Sequence, residues 1–104
     1  MAPDLRAIRQ AFADRRYLLT EHASDRAVAR NIASREIEEA VRDAVVVEDY
    51  PADKYGASCL LMGKTANGRT LHVQVSYPPA TKVITVYEPS DAEWQDGWVA
   101  RRVR

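Results

Sequence analysis

The chain has 104 residues, 46% of them apolar and 29% charged, and its fifteen basic and fifteen acidic side chains cancel to a formal charge of zero. One domain with one hydrophobic core is expected over residues 1–104, and a disordered chain is excluded. The sequence lacks an apolar run of the ~20 residues that span a membrane, a signal-peptide pattern, paired cysteines and zinc-type histidine spacing, so we expect a cytoplasmic protein with no membrane partner, disulfide, metal or cofactor.

The neutral sum lacks the basic excess common in nucleic-acid binders. Its distribution is uneven: residues 1–35 hold seven Arg against four acids, residues 36–55 two basic residues against seven acids, and residues 56–104 six against four. Arg outnumbers Lys twelve to three, and Arg is suited to forked contacts with phosphate or carboxylate.

Asp4 is placed to cap a first helix running to about Arg16, with Leu5, Ile8, Ala11 and Phe12 on one face and Arg6, Arg9 and Arg16 on the other. Tyr17–Thr20 reads as a brief edge strand or as the entry to a second helix capped by Thr20. That helix runs from Glu21 to about Arg30, with Ala23, Ala27, Val28 and Ile32 as its apolar side. Ser34 is the expected cap of a third helix, Arg35 to Asp43, whose buried stripe is Ile37, Ala40, Val41 and Ala44.

The period then changes from 3.6 to 2. Val45–Tyr50 reads as a strand ended by Pro51. Residues Ala57–Lys64 and Arg69–Tyr77 read as strands joined at Asn67-Gly68, the strongest short hairpin signal. A two-residue turn there pairs Met62 with Val73, Leu60 with Val75 and Gly63 with His72. It places Leu60, Met62, Leu71, Val73, Val75 and Tyr77 on a core face, and His72, Gln74 and Ser76 on the other. Lys82–Tyr87 is a fourth strand. Trp94 and Trp98 sit at helical spacing and predict a short C-terminal helix or an ordered arm. The expected architecture is α+β: two to three N-terminal helices packed on a four-stranded antiparallel sheet.

On the second helix His22, Arg26 and Arg30 lie four residues apart and so share one stripe. Stacked like charges imply a nearby anion, for which two candidates stand: an RNA phosphate, or the chain's own acids between Glu36 and Asp53. The run His22-Ala23-x-x-Arg26-x-x-x-Arg30-x-Ile32, the helix Glu36 to Val41, the strand ending Tyr50-Pro51, the segment Gly68-Arg69-x-Leu71-His72-Val73, and Ile84-Thr85-Val86-Tyr87-x-Pro89 together resemble an uncharacterised bacterial domain family, a domain of unknown function similar to the RelE/ParE and BrnT toxins. The resemblance covers about residues 17–102. It implies a RelE-like, microbial-ribonuclease-like fold and a toxin of a toxin-antitoxin pair. That toxin would be an endoribonuclease acting on RNA, free or ribosome-bound, and neutralised by a small antitoxin protein.

Metal-independent RNA cleavage needs a base for the 2′-hydroxyl, an acid for the leaving 5′-oxygen and cations around the phosphorane. His22 and His72 are the expected acid–base pair, with Arg26 and Arg30 as the phosphate clamp and Tyr87 as an added proton or stacking group. Lys64, Arg69, Gln74 and Arg101 are the expected substrate contacts. Each has a plainer reading beside it. His22 can serve Asp25 or a backbone carbonyl, and Arg26 and Arg30 can pair with Glu48, Asp49 or the third helix. His72 can lie beneath Trp94 or Trp98, and Cys59 reads as a buried small hydrophobe. The alternative function is a non-catalytic interaction module whose Arg/His stripe binds an acidic partner. An exposed fourth strand or the Trp-bearing tail would support a homodimer.

Overall fold

Apart from a two-residue strand between the first two helices, helices come first and strands second, as the change of period predicts. A computed structural model describes residues 3–54, 56–90, 93–95, 97 and 100–101. In chain order they form α1 (Leu5–Ala13), β1 (Leu18–Leu19), α2 (Glu21–Ala29), α3 (Ser34–Arg42), β2 (Val45–Tyr50), β3 (Ser58–Lys64), β4 (Thr70–Ser76), β5 (Lys82–Tyr87), β6 (Trp94–Gln95) and β7 (Ala100–Arg101).

Side-chain chemistry sets the helix ends. Asp4 accepts from the Ala7 N–H at 3.1 Å and Thr20 from the Ala23 N–H at 3.0 Å, each satisfying an orphan donor of a first turn. The third cap differs from expectation. Ala33 holds the cap position, and Glu36 reaches back to its N–H at 3.0 Å, so Ser34 is already helical. α1 ends at Ala13, short of Arg16, where Arg15 turns to a φ of +55°.

The main sheet has five strands in the order β1-β5-β4-β3-β2. It is mixed rather than the expected four-stranded antiparallel sheet, because Leu18–Leu19 adds a parallel edge strand beside Lys82–Val83. Beyond the reach of β1, α2 lies along the free edge of β5. There the Ile84 carbonyl accepts from Thr20 Oγ1 at 3.1 Å and the Val86 carbonyl from Arg30 at 3.5 Å. Exposed strand edges invite pairing with other chains, and a helix laid along one closes it.

The central hairpin is one residue out of the expected register. Thr65 N–H donates to the Arg69 carbonyl and Gly68 N–H to the Thr65 carbonyl, with Gly68 at φ +89°. The loop therefore has three residues, Ala66-Asn67-Gly68, a turn closed by a glycine bulge. Met62 then faces His72, Leu61 faces Val73 and Gly63 faces Leu71. A one-residue shift exchanges faces, so Leu60 and Met62 lie on the side of His72, and Cys59, Leu61 and Gly63 turn toward the helices.

That inner face holds the core. Leu61, Leu71, Val73, Val75, Val83 and Val86 pack with Ile37, Ala40 and Val41 of α3, Ala23 and Ala27 of α2, and Ile8 and Phe12 of α1. Gly63 allows the close approach of α3, since a Cβ there would sit 1.8 Å from the Ala40 carbonyl oxygen. Val28, expected among the apolar residues of α2, is 80% exposed. Cys59 is fully buried and its thiol is pushed up to about 12, by burial first and by the Asp49 charge second. Of the two expectations for the C-terminal segment, a short helix or an ordered arm, the helix is not formed among the described residues: Trp94 pairs with Arg101 and Gln95 with Ala100 in the β6–β7 ladder, with Gly97 at φ +70°. Trp98 lies outside the described residues.

Candidate functional site

The outer face of the sheet presents two rows across the strands. One is Glu48–Leu60–Gln74–Thr85 and the other is Val45–Met62–His72–Tyr87. A bulge at Ile84, where the β4–β5 register skips from Val75–Val83 to Gln74–Thr85, turns Thr85 outward while Val83 and Val86 both stay in the core. Bulges re-aim side chains in this way.

At the β5 end of the first row the sheet meets the N-terminus of α2. Thr20, Glu21, His22, Lys54, Gln74, Ile84 and Thr85 line a cavity of about 450 Å³ there. Gln74 is held in place by donating to Ser58 Oγ at 3.1 Å. A carboxylate, an imidazole, an ammonium, an amide and two hydroxyls thus converge on one concave space. Such a set can accept a proton, donate one and bind a polar ligand. His22 is exposed at the head of the α2 stripe, and Arg26 and Arg30 follow it, also exposed.

Neither arginine of the stripe is tied to a carboxylate among the described residues; Arg30 has only the long hydrogen bond to the Val86 carbonyl. The acids of α3 are engaged by other arginines: Arg69 holds Glu36, Arg15 faces Glu38 and Arg35 faces Glu39. Of the two candidate anions, the chain's own acids are therefore not seen paired with the stripe among the described residues.

Arg69, expected at the substrate, serves the fold. One terminal nitrogen donates to both Glu36 oxygens at 3.0 Å and to the Asn31 carbonyl at 2.9 Å. The other donates to Glu88 at 2.9 Å and to the Arg30 carbonyl at 3.2 Å. It thereby ties the end of α2 to the start of α3 and to the exit of β5. The Ala33 N–H first, and the Arg69 guanidinium second, hold the Glu36 carboxyl below the usual carboxylate range.

The second histidine is sealed. His72 has no solvent exposure and its Nδ1 lies 3.1 Å from the Tyr87 hydroxyl. The Trp94 ring stands edge-on to it, with centroids 4.4 Å apart. The expected pairing of His22 and His72 across one phosphate is corrected accordingly, because the structure puts His22 in an open cavity and closes His72 beneath an indole. Tyr87 is half-buried against the same histidine. Lys64 is exposed at the far end of β3, away from the residues that line the cavity. Arg101 pairs in the β6–β7 ladder, and its side chain lies outside the described residues.

Of the expected contacts, the cavity brings together His22 and Gln74. It adds Glu21, Lys54 and Thr85. Glu21 had a signal in the sequence, as the acid beside His22 in a helix first turn. Lys54 and Thr85 had none, because they arrive through a loop path and a bulge. Among the described residues, no cluster of His, Cys, Asp and Glu could hold a metal ion, and no helix is long and apolar enough to cross a membrane.

A family model described as a domain of unknown function, DUF4258, matches residues 19–88. The matched span starts within β1 and ends just after β5, so it holds the whole cavity lining and the stripe and leaves α1 outside. No curated protein and no solved structure matches the chain.

Proposed function

The chain belongs to the DUF4258 family, and we propose that it is an endoribonuclease of the toxin kind that works without a metal, with RNA bound along α2. The observation that carries this reading is the open stripe: Arg26 and Arg30 are exposed and free of carboxylate partners among the described residues, beside a cavity that holds His22. In an otherwise neutral chain, these are forked donors left for an external oxyanion. In this reading Arg26 and Arg30 hold the scissile phosphate. Glu21 accepts the 2′-hydroxyl proton as the 2′-oxygen attacks phosphorus. His22 gives a proton to the departing 5′-oxygen, which leaves a 2′,3′-cyclic phosphate. Gln74 and Thr85 supply hydrogen bonds to the nucleotide, and His72 with Tyr87 supports the sheet beneath them. The proposal includes kinship of fold with RelE/ParE and BrnT toxins, and a small antitoxin protein that neutralises the chain by covering the stripe.

Purified protein incubated with single-stranded RNA should yield cyclic-phosphate ends, and induction in bacteria should arrest growth. His22→Ala should lower cleavage about 10²- to 10⁴-fold, the range of one general acid, and Arg26→Ala should also relieve arrest. Identical behaviour of wild type and both variants sinks the reading. A second reading, a non-catalytic module whose stripe binds an acidic partner segment, is favoured by the zero net charge. It predicts intact RNA together with arginine-dependent capture of an acidic peptide.

A further inference from the structure

The arginines that α1 turns away from the core take no part in the site on α2. Arg6 and Arg9 meet Arg15, from the turn after α1, and Arg42 of α3 around a groove of about 540 Å³, lined also by Gln10, Phe12, Ala13 and Glu38. Arg9 is half-buried. It donates to the Ala44 carbonyl at 2.7 Å, and its Nε is buried with no hydrogen-bond partner among the described residues. Arg6 and Arg42 are exposed and form no ion pair among the described residues. Arg15 approaches Glu38 only to 3.8 Å, and that carboxylate already accepts from the Tyr17 hydroxyl at 2.5 Å. Four guanidiniums thus share a groove with one acid. A concave wall concentrates their field, and a buried donor without an acceptor is destabilising until one arrives.

We propose that this groove binds a small polyphosphorylated anion, whose phosphoryl oxygens accept from Arg6, Arg9, Arg15 and Arg42. Three observations point to that class. Forked donors from two helices suit several oxygens at different heights. The volume lies within the roughly 300–1,000 Å³ of small-molecule pockets. Asp4 and Asp14 cap the two ends of α1, so an anion that ran past the groove along that helix would meet a carboxylate at either end, which favours a short polyanion over a long one. The site is independent of the RNA reading, since Arg6, Arg9 and Arg15 all precede the family-matched span at residue 19.

The test is a calorimetric and amide-shift NMR titration of the full chain with tripolyphosphate, ATP, AMP and inorganic phosphate, free of magnesium and at constant ionic strength. Tripolyphosphate should bind one to one, at least tenfold more tightly than inorganic phosphate, and should shift amides of α1 and of the end of α3. Arg6→Gln/Arg42→Gln should weaken it at least tenfold with RNA cleavage and far-ultraviolet circular dichroism unchanged. Arg42→Gln alone, at an exposed helix end, covers the case in which the double variant misfolds. His22→Ala/Arg26→Ala should bind as wild type does, so failure of the ribonuclease reading leaves this one standing. Equal affinity for ATP and tripolyphosphate assigns recognition to the phosphate chain, and tighter ATP binding assigns it to a nucleotide. Shifts confined to α2, arginine variants that bind like wild type, or an RNA oligonucleotide or acidic peptide that outcompetes tripolyphosphate for the groove overturn the proposal.

Discussion

The two faces of the main sheet are closed by different means. On the inner face, apolar side chains of three helices meet β3, β4 and β5 at van der Waals distance, and α3 comes so near that only glycine fits at position 63. On the outer face, Gln74, Thr85, His72 and Tyr87 share rows with Leu60 and Met62. Part of that face lies under Trp94, and part opens into the cavity beside α2. The arginines divide in the same way: Arg69 is saturated by two carboxylates and two carbonyls, whereas Arg26 has no such partners among the described residues. Volume decides the inner arrangement, and polar groups left over from packing make the outer one available for chemistry.

If that division holds, the largest loss comes from the inner face. Gly63→Ala sets a methyl 1.8 Å from a backbone oxygen that no rotamer change can move. Overpacking usually costs about 1–3 kcal/mol, and a backbone-to-backbone clash belongs at or above the top of that range. A melting temperature lowered by at least about 12 °C is expected, from roughly 4–8 °C per kcal/mol for a domain near this size. Gly68→Ala is the contrast, since open space surrounds it and only its φ of +89° is strained; about 1 kcal/mol is expected. Equal losses at the two glycines would mean that α3 does not press on β3.

Arg69→Met should follow. It strands Glu36, which is nearly buried, and removes the tie between α2, α3 and the end of β5. The pair retains some exposure, so the loss should fall below the 3–5 kcal/mol of a fully buried one, at about 2–3 kcal/mol by urea denaturation.

Smaller still is the acid dependence carried by Glu36. Its folded carboxyl titrates below the unfolded one, so between the two values the unfolded chain binds more protons and stability rises with pH. The Glu36 contribution is complete above the ordinary carboxylate range near ~4.3 and is lost as pH falls through the folded value. The stability gap between wild type and Glu36→Gln should therefore narrow from pH 7 toward pH 3. Asp14, held low by Gln10 and then Arg16, has the same sign and leaves a residual acid loss in the variant. A gap that widens in acid would remove Glu36 from the clasp.

Sequence period alone carried the inner face of the helices. Ile8, Ala11 and Phe12, then Ala23 and Ala27, then Ile37, Ala40, Val41 and Ala44 are all buried where helical spacing put them. The strands were found, and β4 was faced as expected, with Leu71, Val73 and Val75 inward and His72 and Gln74 outward, but β3 was not. A turn of two residues and one of three look alike at Asn67-Gly68, and the single residue between them carried Leu60 and Met62 to the opposite side. The edge strand β1 was too short to separate from a helix entry. For the site, α2 displayed its stripe plainly, since His22, Arg26 and Arg30 need only the helical repeat. What lies across from the stripe depends on the Ile84 bulge and on the loop that brings Lys54, and neither has a local signature. The exclusion of His72 rests on Trp94 returning from a distant segment, a contact the sequence offered only as the plainer alternative, since spacing does not encode proximity.

The smallest stability effect should come from the stripe, and there the division between the faces is most exposed to failure. Arg26→Gln removes a charge with no partner among the described residues. Its unfolding free energy should stay within about 0.5 kcal/mol of wild type, as for surface positions away from special features, and relief from the repulsion of Arg30 should push it toward the stabilising side. A drop as large as that of Arg69→Met would show that Arg26 belongs to the fold after all. Unchanged stability together with weakened RNA binding, read by fluorescence anisotropy at two salt concentrations, would instead mark a residue retained for an external anion. If Arg26 neutralises one phosphate of a single-stranded RNA, the variant should also lower the slope of log affinity against log salt by about 0.7. That slope separates a direct phosphate ligand from an arginine that merely shapes the helix surface.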